Sequence, residues 1–469
     1  MSRLISALAA ASLLLAGQAQ AQTRSDQVAF RALYKELVET NTTASVGNCT
    51  LAAEQIAARM KAAGFPASDL TIFASPEYPK NGGLVAVYPG ADPKAKAILL
   101  LAHIDVVEAK REDWTRDPFT LVEEGGYFYA RGAADDKAQA AIWADTLIRY
   151  RQEGFHPKHT LKMALTCGEE GGAPFNGASW LVKNKRDLID AAFALNEGAM
   201  GQLDEHGKRI AHTIEAGEKT SQSFTLEVTN PGGHSSRPLP DNAIYRLADA
   251  LEKVRRYEFP VMINDANRAY LTGMAKIEGG PRGAAMKALA ANPKDAKADA
   301  LLSKDPSLHT LLRTTCVATM LSAGHAQNAL PQRATANINC RIFPGVSRDA
   351  VQAKLAQVIG DPKVAITKTS VSREGEAPAP KLTPQILGPI EKVSAEMWPG
   401  VPVIPILQAG ATDGRSLTAG GIPTYGVQGI FYEPDLGRIH GLNERVGVTA
   451  LYEGRDFLYK LVKIYADQP

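Results

Sequence analysis

The chain has 469 residues, with 52 Lys and Arg against 50 Asp and Glu, 45% hydrophobic and 22% charged residues. This is the usage of a folded globular protein, not of a disordered or fibrous one, and at this length one hydrophobic core splits into two. A formal charge of +2 supplies no field to draw the protein onto nucleic acid or anionic lipid, so neither is an expected partner.

Taken in chain order, Met1 to Gln22 reads as a secretory signal. Arg3 gives the positive start, Leu4 to Ala16 the apolar run, and Ala19-Gln20-Ala21 the small-x-small pattern, which places cleavage after Ala21. The apolar run is too short for a membrane span, which needs ~20 residues. A secreted or periplasmic protein is therefore expected. The cysteines Cys49, Cys167, Cys316 and Cys340 form no CxxC pair, which speaks against a thiolate zinc site and against a disulfide scaffold. Disulfides are compatible with this spacing, which does not reveal their pairing; Cys316 and Cys340 sit in strand-like runs, and buried thiols are the favoured expectation for them.

Val28, Phe30, Leu33, Leu37 and Val38 recur at helical spacing, and a second apolar face from Leu51 to Ala63 is stopped by Gly64 and Pro66. Short apolar runs follow at Leu84–Tyr88, Ala97–Ala102, Leu161–Thr166 and Ala191–Leu195 and read as buried strands. Helices over Lys137–Arg151 and after Asn176 separate several of them. This alternation implies an α/β domain with a mainly parallel sheet and helices on both faces. From about Lys219 the pattern becomes β-α-β-β-α-β: strands at Ser223–Thr229, Thr314–Leu321, Ala334–Ile342 and Val364–Thr367, helices near Asp241 and from Ser347. That order describes a smaller α+β, ferredoxin-like domain. It carries an insertion at 257–313. After Pro378 the first pattern resumes, with a helix at Thr383–Met397, a strand near Pro423–Val427 and a helix at Thr449–Val462. The expected layout is signal 1–21, catalytic domain 22–217 and 378–469, and an interposed domain 218–377.

Three of the strands end in residues that bind metals or move protons: His103-Ile-Asp105, Glu169-Glu170 and Asn196-Glu197. In open α/β sheets the carboxyl ends of strands converge on one crevice. Asp135, in Arg131-Gly-Ala-Ala-Asp-Asp-Lys137, precedes a helix, and His440 lies in a late Gly-containing loop. Taken singly these are ordinary: a polar pair, a solvated Glu-Glu, a helix cap, a loop histidine. Jointly they are donors for two metal ions. Imidazole and carboxylate without thiolate suit Zn(II), and less exclusively Mn(II) or Co(II). Five residues serve two ions only if one carboxylate bridges, which puts His103, Asp135 and Glu197 on one ion and Asp135, Glu170 and His440 on the other. Asp105 would accept the second imidazole N–H of His103. Glu169 is left as general base.

These motifs, with Gly168-Glu-Glu-Gly-Gly172, Gly233-His-Ser-Ser236 and Ile439-His-Gly-Leu-Asn-Glu444, resemble the M20 metallopeptidases, a group of carboxypeptidases, dipeptidases and aminoacylases. Thr314–Thr319, Asn328-Ala-Leu-Pro331 and Asn339–Gly345 look most like the branch of carboxypeptidase S and the secreted N-acyl-amino-acid hydrolases. The resemblance implies a zinc-exopeptidase-like catalytic domain with two zinc ions and an inserted lid that dimerises. It implies that His234 reaches the partner subunit's site and stabilises the oxyanion. It further implies that Asn328, Arg341 and the backbone of Gly410 hold the substrate's carbonyl and terminal carboxylate. The activity expected is cleavage of a peptide bond beside a free C-terminal carboxylate, with N-acyl-amino-acid hydrolysis as the alternative. A periplasmic solute-binding protein is the rival outside enzymes. Ala138 stands where relatives usually carry Gly.

Overall fold

The computed structural model describes residues 24–171, 174–369 and 375–468. The predicted signal at 1–21 lies outside the described residues, as does Gly172 of the Glu-Glu motif. Among the described residues no helix is long and apolar enough to cross a membrane.

The apolar runs form the centre of a ten-stranded sheet. Leu161–Thr166, Ile98–His103, Phe193–Asn196 and Thr424–Gly426 run parallel side by side. They are continuous in apolar character because both faces are covered: all six residues of Ile98–His103 are buried. Ile98, Leu100 and Ala102 pack on one face under the helices Lys137–Glu153 and Val448–Ala466. Leu99 and Leu101 pack on the other with Ala178 and Leu417 of the helices Gly177–Asn184 and Gly414–Ala419. The predicted face Ile142, Thr146, Leu147 and Tyr150 is buried, Ala138 is fully buried as well, and the helix stops where Gly154 turns left-handed at φ 67°. The parallel register pairs His103 with Thr166, so the motifs that follow these strands emerge at the same edge of the sheet.

One strand of this sheet carries little apolar signal. Arg209–Glu218 has a burial run that includes His212, Glu215 and Glu218, and Val403–Gln408 lies parallel to it. His212 and Glu218 are satisfied by groups remote in sequence, His212 Nδ1 meeting Ser394 Oγ at 2.8 Å and the Glu218 carboxylate accepting Thr412 N–H at 2.9 Å, and no local pattern announces such partners.

The second sheet is antiparallel, in the order Thr315–Ala323, Arg333–Ile342, Thr220–Thr229, Ala365–Lys368. Thr220–Thr229 buries alternate residues, and its inward Phe224, Leu226 and Val228 pack against Leu247 and Val254 of helix Ala243–Arg256 and Val351 and Leu355 of helix Arg348–Ile359. The helices at 265–312 pack elsewhere. Leu271, Met286 and Leu302 bury against Ala216, Leu407 and Tyr425 of the large sheet and Ile386 of the helix Pro384–Met397, so this insertion covers the flank of the large sheet.

The expectation of buried free thiols at Cys316 and Cys340 is overturned. These cysteines face each other across two antiparallel strands and are bonded, and Cys49 is bonded to Cys167. No free cysteine remains. Spacing along the chain carries no information about either pairing, since one bond spans 118 positions and the other 24.

Candidate active site

At the carboxyl edge of the parallel strands, His103, Asp105, Asp135, Glu169, Glu170, Glu197 and His440 come together. His103 ends its strand and is 1% exposed. Its Nδ1–H donates to the backbone oxygen of Asp105 at 3.0 Å, which turns Nε2 toward Asp135 Oδ1 at 3.0 Å and Glu197 Oε1 at 3.5 Å. The other oxygen of Asp135, Oδ2, faces His440 Nε2 at 3.2 Å, and that nitrogen is 2.8 Å from Glu170 Oε2. One carboxylate therefore presents one oxygen to each imidazole. The ligand atoms of His103, Asp135 and Glu170, and of His103, Glu169 and Glu197, each lie within 4.8 Å of one another.

Asp105 differs from its expected role in one respect. Its carboxylate is 3.6 Å from His103 Nδ1, and it accepts the backbone N–H of Glu169 at 3.3 Å and of Glu170 at 3.1 Å. It is the carbonyl of Asp105 that orients the imidazole, and the carboxylate that holds the Glu-Glu turn.

The electrostatics are those of crowded acids short of cations. Burial pushes the Glu169 carboxyl well above the ordinary range against the pull of His103, and the neighbouring Asp413, Glu170 and Asp105 add to it. Burial raises Glu197 likewise, with Asp135, Asp136 and Glu169 nearby. Burial opposes a charge on Asp135 too, but hydrogen bonds to His103 and His440 hold its carboxyl well below the usual range. Burial alone would lower His103, and Glu197 with the hydrogen bonds to Asp105 and Asp135 raises it well above a normal histidine. His440, bonded to Asp135 and Glu170, is pushed up to about 10. Five carboxylates face two imidazoles here, and such a field favours positive charge at both Nε2 positions. The donor set, nitrogen and oxygen without sulfur, fits a pair of hard or borderline divalent cations.

A cleft of about 350 Å³ opens on this cluster, lined by Asp135, Glu169, Glu170, Glu197, His440 and Gly410, with Met200, Leu436 and Ile439 forming an apolar side. Gly410 is thus where the sequence places it. His234, Asn328 and Arg341 do not line this cleft within one chain. His234 is exposed and its Nδ1 accepts from Ser236 Oγ at 2.8 Å. Asn328 is exposed, its carbonyl accepting Ser235 N–H at 3.0 Å. Arg341 is half-buried on its strand, opposite Ser221 and Thr315.

Two groups around the site had no role in the sequence reading. Glu444, 1% exposed, accepts backbone N–H from Gly132, Ala134 and Asp135 and pairs with Arg131. Asp413 accepts from Thr166 Oγ1 at 2.7 Å and Asn176 Nδ2 at 2.6 Å beside Glu169. Glu444 closes the motif Ile439–Glu444 and Asp413 stands three residues after Gly410, so proximity to His440 and Gly410 in sequence was the available signal.

The sequence profile of peptidase family M20/M25/M40 matches residues 99–464. A probable carboxypeptidase S-like 2 of Dictyostelium discoideum is 29% identical over 394 residues, 82% of this chain and 74% of the relative. The human N-fatty-acyl-amino acid synthase/hydrolase PM20D1 is 27% identical over 411 residues, 85% of this chain and 80% of the relative. Among solved structures, an M20 family metallo-carboxypeptidase from Sulfolobus solfataricus superposes with a TM-score of 0.68 at 18% identity, covering 93% of this chain and 99% of that one. The chain belongs to peptidase family M20/M25/M40, and it is a hydrolase of the metallopeptidase class. The solute-binding alternative falls with that assignment.

Proposed function

We propose that this chain is an exported di-metal exopeptidase that cleaves the peptide bond next to a free C-terminal carboxylate. The observation that carries the reading is the split of the Asp135 carboxylate between His103 and His440. His103, Asp135 and Glu197 would hold one ion, and Asp135, Glu170 and His440 the other, with zinc the best match to the donors. Two such ions supply Lewis acidity to a scissile carbonyl and lower the pKa of water at the site.

The chain's own residues do the rest. Glu169 accepts the proton of the attacking water and returns it to the leaving amine, a task open to its carboxylate from the cleft wall beside Glu170 and Glu197. Asp105 keeps that carboxyl in place through the Glu169 N–H. Gly410 offers backbone to the substrate carboxylate at the cleft rim. Arg341 and Asn328 bind carboxylate and carbonyl when the smaller domain closes, and Arg341 has no carboxylate partner among the described residues while Lys219 lies close enough to feel its charge.

His234 acts on the partner subunit's site, which requires a homodimer. The edge strand Thr315–Ala323 supports this: Val317, Met320 and Leu321 are 60%, 72% and 67% exposed on a strand paired on one side only. Export is supported by the signal pattern at 1–21 and by two disulfides, which persist in oxidising compartments.

A second reading, hydrolysis of N-acyl amino acids by the same groups, is favoured by the apolar side of the cleft at Met200, Leu436 and Ile439 and by the activity in the human relative's name. A panel of dipeptides, N-acyl amino acids and their C-terminal carboxamides, assayed with and without chelator, separates the two. Cleavage of free acids, abolished by chelator and restored by zinc, is expected. Peptide binding without cleavage, or equal cleavage of the carboxamides, would refute the proposal.

A further inference from the structure

The turn carrying Glu169 and Glu170 is anchored from two sides. On one side, the Asp105 carboxylate takes both backbone N–H groups. On the other, Cys167, which directly follows the strand Leu161–Thr166, is bonded to Cys49, the first residue of the helix Cys49–Ala62. Both sulfur-bearing residues are buried, at 3% and 2% exposure. They border a small crevice together with Thr42, Thr43, Asp105 and Gly168, so the two anchors are packing neighbours. A single residue, Gly168, separates the bond from Glu169. It sits at φ +90°, and a Cβ there would lie 1.9 Å from the Phe175 carbonyl oxygen. The chain between anchor and carboxylate therefore has almost no slack.

The other disulfide is placed differently. Cys316 and Cys340 are direct cross-strand neighbours in a ladder that hydrogen bonds already hold, in the smaller sheet, and neither lines the cleft.

We propose that the Cys49–Cys167 bond is a positioning element for the Glu169–Glu170 turn, so that turnover depends on the oxidation of this one pair. The inference rests on the roles given above to Glu169 and Glu170. A dithiol reductant would open it by delivering two electrons and two protons: the S–S bond breaks to two thiols, and the dithiol closes to its own disulfide. Asp105 would then hold the turn alone, and the helix Cys49–Ala62 would no longer be tied to it. Catalytic carboxylates tolerate displacements of only about 0.5 Å, and a misplacement of about 1 Å costs on the order of a hundredfold.

The test compares the C49A/C167A and C316A/C340A proteins by kcat, KM and hydrogen exchange at the Glu169 and Glu170 amides. For C49A/C167A, kcat should fall by about tenfold or more with KM little changed. Exchange at the two amides should quicken while the helix Lys137–Glu153 stays protected. C316A/C340A should match the wild type in all of these. Should C49A/C167A not fold, the C316A/C340A protein reduced with a phosphine in the presence of added zinc, until peptide mapping shows Cys49 and Cys167 reduced, takes its place. Wild-type kcat and exchange with that bond absent, or equal losses in both variants, would overturn the proposal. A wild-type protein that cleaves no amide would sink the exopeptidase reading instead, and the amide exchange would still decide the positioning role.

Discussion

Arg131 and Glu444 form a buried ion pair at 2.7 Å, 3% and 1% exposed, that joins the two sequence segments contributing Asp135 and His440. Glu444 gathers the N–H groups of Gly132, Ala134 and Asp135, while Arg131 Nη2 donates to the carbonyl of Gly441 at 3.1 Å, one residue past His440. The pair thus sets the distance between the Asp135 carboxylate and the late histidine. Removing one member of a buried pair typically costs about 3 to 5 kcal/mol, because the other charge is left without a partner. Glu444→Leu should lower unfolding free energy by about that much, and zinc titration of whatever folds should show weakened binding. A denaturant midpoint and zinc affinity like wild type would remove the pair from this role.

Glu169→Gln keeps the shape of the side chain and removes its basicity. Turnover should fall by about a hundredfold or more, with two metal ions per chain still found by elemental analysis. Undiminished turnover would take Glu169 out of the reaction.

His212 makes stability acid-sensitive. Its ring is fully buried against Trp398 and Phe457, with centroids 5.3 and 4.8 Å away, and burial lowers its pKa from 6.5 to about 4. The unfolded chain binds the proton first as pH falls. The stabilisation from the neutral ring is therefore complete above pH 6.5, declines as pH drops toward about 4, and amounts to about 3 kcal/mol in all. Urea denaturation across this range should show the decline, and His212→Asn should flatten it. An equal slope in both proteins would contradict the assignment.

The edge strand tests the dimer. Met320→Glu places a charge on its exposed face and should yield monomers in sedimentation, with activity lost. His234→Ala and Glu169→Gln subunits, each inactive alone, should recover activity on mixing, since one mixed site holds both intact groups. Activity of Met320→Glu monomers equal to wild type would show that His234 serves no partner.

The apolar runs Ala97–Ala102 and Leu161–Thr166 were legible because both faces of a parallel strand are covered, which writes burial directly into the sequence. His103, Glu169, Glu170 and Glu197 were legible with them, since each ends or follows such a strand and strand ends converge. Asp135 and His440 joined them by donor chemistry. Harder to see were the strand Arg209–Glu218, whose buried polar residues look like loop, and the fact that Asp105 grips two backbone amides as well as facing an imidazole.

The division follows from what each kind of interaction depends on. Burial of apolar surface and the chemistry of metal donors are properties of residue type and local spacing, so the sequence alone determined the α/β core, the antiparallel second sheet and the identity of the acidic and histidine cluster. Pairings across long separations depend on where the chain brings two groups: Cys49 with Cys167, Arg131 with Glu444, the 265–312 helices with the large sheet. Only the tertiary structure decided those, because contact between distant segments is set by the packing of the whole molecule and leaves no periodic trace along the chain.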